Sequence, residues 1–142
     1  TSLIHSLKAH PVDHYVKVDG YVRGCPMGER DLTELVISLL LNKRADLLEY
    51  CVCVECKLKN NICLLVAYHQ PCMGPVTNAG CEALCPSNNR ACYGCWGPMK
   101  DANAKALAEQ FKKMGLSSED IFRKFTEFGE PTEELKPGQL KS

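Results

Sequence analysis

Cysteine is the residue type in this chain whose number and spacing could do chemistry. Eight of the ten cysteines lie between Cys53 and Cys95. In chain order they divide into a first set (Cys53, Cys56, Cys63, Cys72) and a second set (Cys81, Cys85, Cys92, Cys95). Four thiolates are the ligands of a tetrathiolate zinc site and of an iron–sulfur cluster. The pattern therefore predicts two metal centres.

Each set contains one Cys-x-x-Cys pair, Cys53–Cys56 in the first and Cys92–Cys95 in the second. This spacing lets two thiolates turn toward one centre, which favours metal binding over a disulfide framework. Zinc ribbons usually pair two such knuckles, whereas the other ligands here are scattered. Scattered ligands favour an iron–sulfur cluster, because each thiolate binds a different iron, and Cys85-Pro86 is similar to the end of many cluster-binding runs. Zinc stays open as the alternative metal.

Charge and hydropathy narrow the classes of function. The 17 basic and 17 acidic side chains cancel, so charge gives no reason to expect nucleic acid as a partner. The apolar stretch at residues 35–41, which Ser38 interrupts, is far shorter than the roughly 20 residues of a membrane span, and we expect neither a span nor a signal peptide. No Gly-rich phosphate loop or Gly-x-Ser-x-Gly element is present, so we expect no complete catalytic site here.

The flanking elements predict an irregular α+β fold. Residues 13–22 are rich in β-branched and aromatic side chains and predict a strand. Residues 28–41 place apolar side chains on one face at helical spacing. Together they are similar to one β–α unit, which cannot bury both its faces alone. Residues 101–114 and 121–128 predict two amphipathic helices, the second capped at Ser117.

These patterns divide the chain into residues 1–45, a cysteine-rich segment at 46–100, and C-terminal helices with a polar tail at 101–142. The middle segment is rich in Gly, Pro and Asn, which demand turns and leave few ways to form a core. We expect metal ligation to supply the missing folding free energy.

The cysteine-rich segment resembles the small subunit of nickel–iron hydrogenases. The resemblance is carried by Cys72-Met-Gly-Pro-Val-Thr77 with Cys81 four residues beyond, and by Cys92-Tyr-Gly-Cys95-Trp-Gly97; Gly24-Cys25-Pro26 and its helix match a further family element. It implies that residues 1–45 are the C-terminal end of a flavodoxin-like domain, a remnant β–α unit. That domain carries three other ligands of a proximal cluster, and none precedes Cys25. We therefore expect either a C-terminal fragment or a second chain that supplies the rest.

The resemblance also implies the cofactors. The first set would hold a distal cluster, the second set a medial cluster, and Cys25 would be one ligand of the proximal 4Fe-4S cluster. In membrane-associated relatives the position of Cys53 is His, and a Pro near the position of Cys85 leaves a three-iron medial cluster. This chain has Cys at both positions, so we expect two 4Fe-4S clusters. The family implies no role for Cys51.

The function implied is that of an oxidoreductase subunit acting on hydrogen, with no catalytic residue of its own. Electrons would pass between the nickel–iron site of a large subunit and a flavin- and NAD(P)-binding or related acceptor subunit. The cysteine pattern resembles the cytoplasmic branch of the family, of the NAD(P)-reducing, sulfhydrogenase-like or F420-non-reducing type, so we expect a cytoplasmic protein. Two alternatives stay open: a stand-alone ferredoxin-like electron carrier and a structural zinc-binding module.

Overall fold

The computed structural model describes residue 10 and residues 12–128. This part of the chain is helical and irregular. Its α-helices are α1 (Glu29–Leu40), α2 (Val52–Leu58), α3 (Leu64–Ala67), α4 (Leu84–Ser87), α5 (Ala104–Lys113) and α6 (Ser118–Thr126), with 3-10 helices at Val12–His14 and Gly74–Val76. The β-structure of the described residues consists of isolated bridges, which pair Gly24 with Met27, Cys51 with Asn78 and Thr77 with Pro98. No helix in this range is long and apolar enough to cross a bilayer.

The N-terminal segment differs from its prediction. No strand forms over residues 13–22; a 3-10 helix spans Val12–His14, and residues 15–22 make no β-bridge. A strand needs a neighbouring strand to accept its hydrogen bonds, and the described residues offer none here. The helix predicted at 28–41 is confirmed as α1, although Val36 and Leu40 on its apolar face are exposed. The flavodoxin-like origin of this segment stays a prediction.

One hydrophobic core joins the cysteine-rich segment to the C-terminal helices. Helix α2 packs against the 3-10 helix Gly74–Val76, and α5 packs against both that 3-10 helix and α6. The buried core residues are Val52, Cys72, Met73, Val76, Ala83, Cys92, Ala104, Leu107, Ala108, Phe111 and Ile121. Burial of these side chains gives the cysteine-rich segment a source of stability besides metal ligation.

Both C-terminal helices begin at a side-chain cap. The side-chain oxygen Oδ1 of Asn103 accepts the Ala106 N–H at 3.0 Å, and Ser117 Oγ accepts the Asp120 N–H at 3.1 Å. The cap predicted at Ser117 is therefore confirmed. Gly115, at a φ of +91°, follows α5 in the left-handed conformation that commonly ends a helix. The predicted polar tail lies outside the described residues.

Candidate iron–sulfur centre

The first set of cysteines comes from three short elements. Cys53 and Cys56 lie one turn apart on α2, Cys63 is the N-cap of α3, and Cys72 lies just before the 3-10 helix. A Cβ atom added at Gly74 would lie 3.4 Å from Cys72 Sγ and 3.5 Å from Cys53 Sγ. The absence of a side chain at Gly74 therefore leaves space beside both sulfurs.

Burial and mutual repulsion shape the protonation of the first set. Burial raises the pKa of the Cys53 thiol to about 12, with smaller contributions from the Cys51 and Cys72 thiols. Burial also raises the pKa of Cys56, again with a contribution from Cys72. Thiols that lie close together and away from water resist ionisation, because their thiolate forms repel one another and lose contact with solvent. A positively charged centre would favour their thiolate forms.

All four cysteines of the second set line one cavity of about 340 Å³. Cys85 lies on α4, Cys81 precedes that helix, and Cys92 and Cys95 lie in the loop that follows it. Each thiolate of an iron–sulfur cluster binds a different iron, so thiols spread around a cavity fit a centre with several irons.

Backbone N–H groups lie against several of these sulfurs. The Cys92 N–H donates to Cys72 Sγ at 3.2 Å. Burial raises the pKa of the Cys81 thiol, and the Leu84 N–H opposes that rise. Burial likewise raises the pKa of the Cys92 thiol to about 12, although the hydrogen bond from the Gly94 N–H acts in the opposite direction. Because N–H donors favour thiolate over thiol and tune the potential of a cluster, the residues present fit such a group.

A site for a single metal ion is a separate case. Among residues 12–128, no group of three or more His, Cys, Asp or Glu side chains lies close enough together to hold one metal ion. The number and type of clusters, and the assignment of the first set to a distal and the second to a medial cluster, stay predictions.

The two sets meet at Cys72 and Cys92. Besides the N–H···S bond between them, the Met73 N–H donates to the Cys92 carbonyl at 3.0 Å. Both cysteines are buried in the core. The Cys72 thiol of the first set is therefore fixed in direct contact with the backbone of Cys92 in the second set.

Cys25 is exposed at the edge of the second set, where it lines the same cavity. Trp96 holds its turn in place, since the indole Nε1 donates to the Asp31 carboxylate of α1 at 3.4 Å. A Cβ atom at Gly24 would lie 2.5 Å from the indole ring, and the φ of this residue is +120°. Only glycine permits both the approach and the conformation. The role of Cys25 in a proximal cluster stays a prediction.

Sequence reasoning did not single out Glu55, which lies between Cys53 and Cys56. Its side chain is buried, and its two carboxylate oxygens accept hydrogen bonds from the Gly80 and Ala83 N–H groups. A glutamate between two cysteines reads like any solvent-facing residue of a turn. The only available signal was its place inside the Cys-x-x-Cys pair.

Comparison with known proteins gives a consistent group of relatives. The chain is 38% identical over 122 residues to sulfhydrogenase 2 subunit delta of Pyrococcus furiosus, an alignment that covers 86% of this chain and 51% of the relative. It is 31% identical over 105 residues to the F420-non-reducing hydrogenase vhu subunit of Methanocaldococcus jannaschii, covering 61% of this chain and 36% of the relative. It is 25% identical over 131 residues to the F420-non-reducing hydrogenase iron-sulfur subunit of Archaeoglobus profundus, covering 71% and 41%.

No protein-family model matches the chain. The chain spans about half, or less, of the length of these curated relatives. The chain belongs to the family of hydrogenase subunits that includes sulfhydrogenase subunit delta and its counterparts in the F420-non-reducing hydrogenases.

Proposed function

We propose that this chain is the iron–sulfur electron-transfer part of a nickel–iron hydrogenase. It relays electrons between the nickel–iron site of a large subunit and a flavin- and NAD(P)-type or related acceptor subunit. Family membership supports the hydrogenase, and the name of the Archaeoglobus profundus relative, an iron-sulfur subunit, supports the cofactor. In this proposal the first set holds the distal and the second set the medial 4Fe-4S cluster.

The observation that carries the proposal is the contact between the two sets. The Cys92 N–H lies 3.2 Å from Cys72 Sγ, and both residues belong to the buried core. A relay needs redox centres that are close together and fixed in separation, because electron transfer weakens steeply with distance. Two structural zinc sites have no such requirement.

When bound, the clusters supply one-electron carriers whose potentials lie between roughly −700 and +450 mV, depending on their surroundings. The residues of this chain set those surroundings. Cys72 and Cys92 lie in the dry core, and backbone N–H groups reach the sulfurs of Cys72, Cys81 and Cys92. N–H···S bonds stabilise negative charge on sulfur and so favour the reduced state.

Metal analysis of the protein tests this proposal. We would purify the chain anaerobically, free of the large subunit and of other iron-containing partners, and count its iron, acid-labile sulfide and zinc. Two four-iron clusters predict about eight irons for these two sets and a broad brown absorbance that dithionite bleaches. About two zinc ions without colour would contradict the relay and leave a structural zinc module.

A further inference from the structure

Glu55 connects the two sets of cysteines. It lies on α2 between Cys53 and Cys56 of the first set, yet its carboxylate reaches the turn that carries Cys81 of the second. Its Oε1 accepts the Gly80 N–H at 2.9 Å, and its Oε2 accepts the Ala83 N–H at 3.0 Å. Oε2 also lies 3.9 Å from Cys81 Sγ.

The turn held by Glu55 has an unusual backbone. Glu82 and Ala83 follow one another at φ values of +53° and +52°, in the left-handed region that residues other than glycine rarely adopt. Ala83 is fully buried, so its N–H needs a partner within the protein. The Glu55 carboxylate provides that partner, and it fixes the direction in which Cys81 faces the cavity.

The charge of Glu55 has no cationic partner among the described residues. Only 7% of its surface is exposed, and no lysine, arginine or histidine in the described range forms an ion pair with it. The nearby cation Lys59 pairs with the exposed Glu82 instead, at 3.0 Å. A buried carboxylate without an ion-pair partner is costly to keep, and a neutral amide side chain could accept part of the same hydrogen bonds without that cost.

We propose that Glu55 is a positioning residue that links the two cluster sites: its carboxylate fixes the Gly80–Ala83 turn that presents Cys81, and its negative charge holds the reduction potential of the second site low. The inference rests on the proposed function, since it concerns how the same two sites are held and tuned. A negative charge beside a redox centre opposes the arrival of an electron, which lowers the potential of that centre.

The test compares variants of the full subunit in its complex, by redox titration of the two EPR signals and by iron content. Glu55→Gln keeps the size of the side chain and one acceptor oxygen but removes the charge. We expect the second-site signal to move to a more positive midpoint potential, by more than any change at the first site. Glu82→Gln is the matched control on the same turn, because it removes a charge that is exposed to solvent and paired with Lys59. Since solvent and Lys59 screen that charge, we expect a smaller shift of the second-site midpoint than in Glu55→Gln.

Glu55→Ala removes both hydrogen bonds, and we expect iron to be lost from the second site while the first-site signal remains. Unchanged potentials and full iron content in Glu55→Gln would overturn the inference. If Glu55→Gln does not fold, Glu55→Asp decides, because it keeps the charge but is too short to hold both N–H groups. We then expect reduced occupancy of the second site at an unchanged potential, and equal iron loss at both sites would overturn the inference.

The two hypotheses fail in different ways. A wild-type subunit without an iron–sulfur chromophore from these two sets refutes the proposed function. A wild-type subunit with two clusters whose potentials and occupancy do not depend on Glu55 refutes the role of Glu55 alone.

Discussion

Removing one thiol from each set tests the proposed division of the cysteines into two cluster sites. Cys63→Ala takes an exposed thiol from the first set, and Cys85→Ala takes a half-buried thiol from the second. Neither residue belongs to the buried core, so we expect the free energy of unfolding to change by no more than about 0.5 kcal/mol through packing. Cys51→Ala is the matched control, because Cys51 contacts the Cys53 thiol but belongs to neither set.

The expected loss of iron follows because each thiolate of a four-iron cluster binds one iron. Two four-iron clusters hold about eight irons; loss of one thiolate leaves about seven if a three-iron cluster survives and about four if the whole cluster is lost. In either case one of two EPR signals changes. The changed signal differs between Cys63→Ala and Cys85→Ala, because their sulfurs lie in separate sets. The Cys51→Ala control keeps both signals.

Anaerobic iron and sulfide analysis with EPR of the dithionite-reduced protein measures these outcomes. The contact between Cys72 and Cys92 lies in the core, to which neither substituted side chain belongs, so a defect in one site should not spread to the other. If the two variants changed the same signal, or if either lost all its iron, the division into two independent sites would be wrong. A cluster lost in Cys51→Ala would show that Cys51 is a ligand.

Three further predictions concern packing and charge. Gly74→Ala adds a methyl group at ordinary contact distance from Cys72 Sγ, 3.4 Å, and fills the space beside it. Because a bound cluster would need that space, we expect EPR to show the first-site signal weakened more than the second-site signal; an unchanged signal would show that this space is not used. Phe111→Ala empties a fully buried position and should lower the free energy of unfolding by about 3–5 kcal/mol. Urea titration measures this loss, with Phe111→Leu as a control that should lose less. Equal losses in the two variants would contradict the close packing around Phe111. In the iron-free chain the pKa of Cys92 is about 12 against an ordinary 9.0. Above pH 9 the unfolded chain therefore loses a proton that the folded chain keeps. The free energy of unfolding should fall by up to about 1.4 kcal/mol per pH unit between pH 9 and pH 12. A urea midpoint that is equal at pH 7 and pH 10 would contradict this fall.

The sequence was sufficient where a local pattern decides the structure. Apolar side chains at helical spacing predicted α1, and Ser117 followed by acidic residues predicted the start of α6, because a helix is specified by its own face and its own cap. The metal centre that the cysteine spacing predicts stays a prediction, although four of those thiols line one cavity.

The sequence was insufficient where a distant partner decides. The β-branched and aromatic side chains of residues 13–22 suit a strand, but pairing depends on a second strand that the described residues do not provide. Helix α2 was not predicted, since it is short and its buried side, at Val52, packs against a 3-10 helix about twenty residues away in the chain. Glu55 was missed for the same reason, because its partners at Gly80 and Ala83 come from another loop.

Reduction by hydrogen itself is the most direct test of the relay. The complete hydrogenase complex that contains this chain would be oxidised anaerobically and then exposed to hydrogen with no other reductant, while EPR and visible absorbance follow the clusters. A relay predicts that hydrogen alone bleaches the brown absorbance and produces both cluster signals. It also predicts that loss of the whole second-site cluster in Cys85→Ala interrupts reduction of the first-site cluster by hydrogen, because the proposed relay places the second site between the first site and the large subunit. Clusters that dithionite reduces but hydrogen does not would contradict the relay.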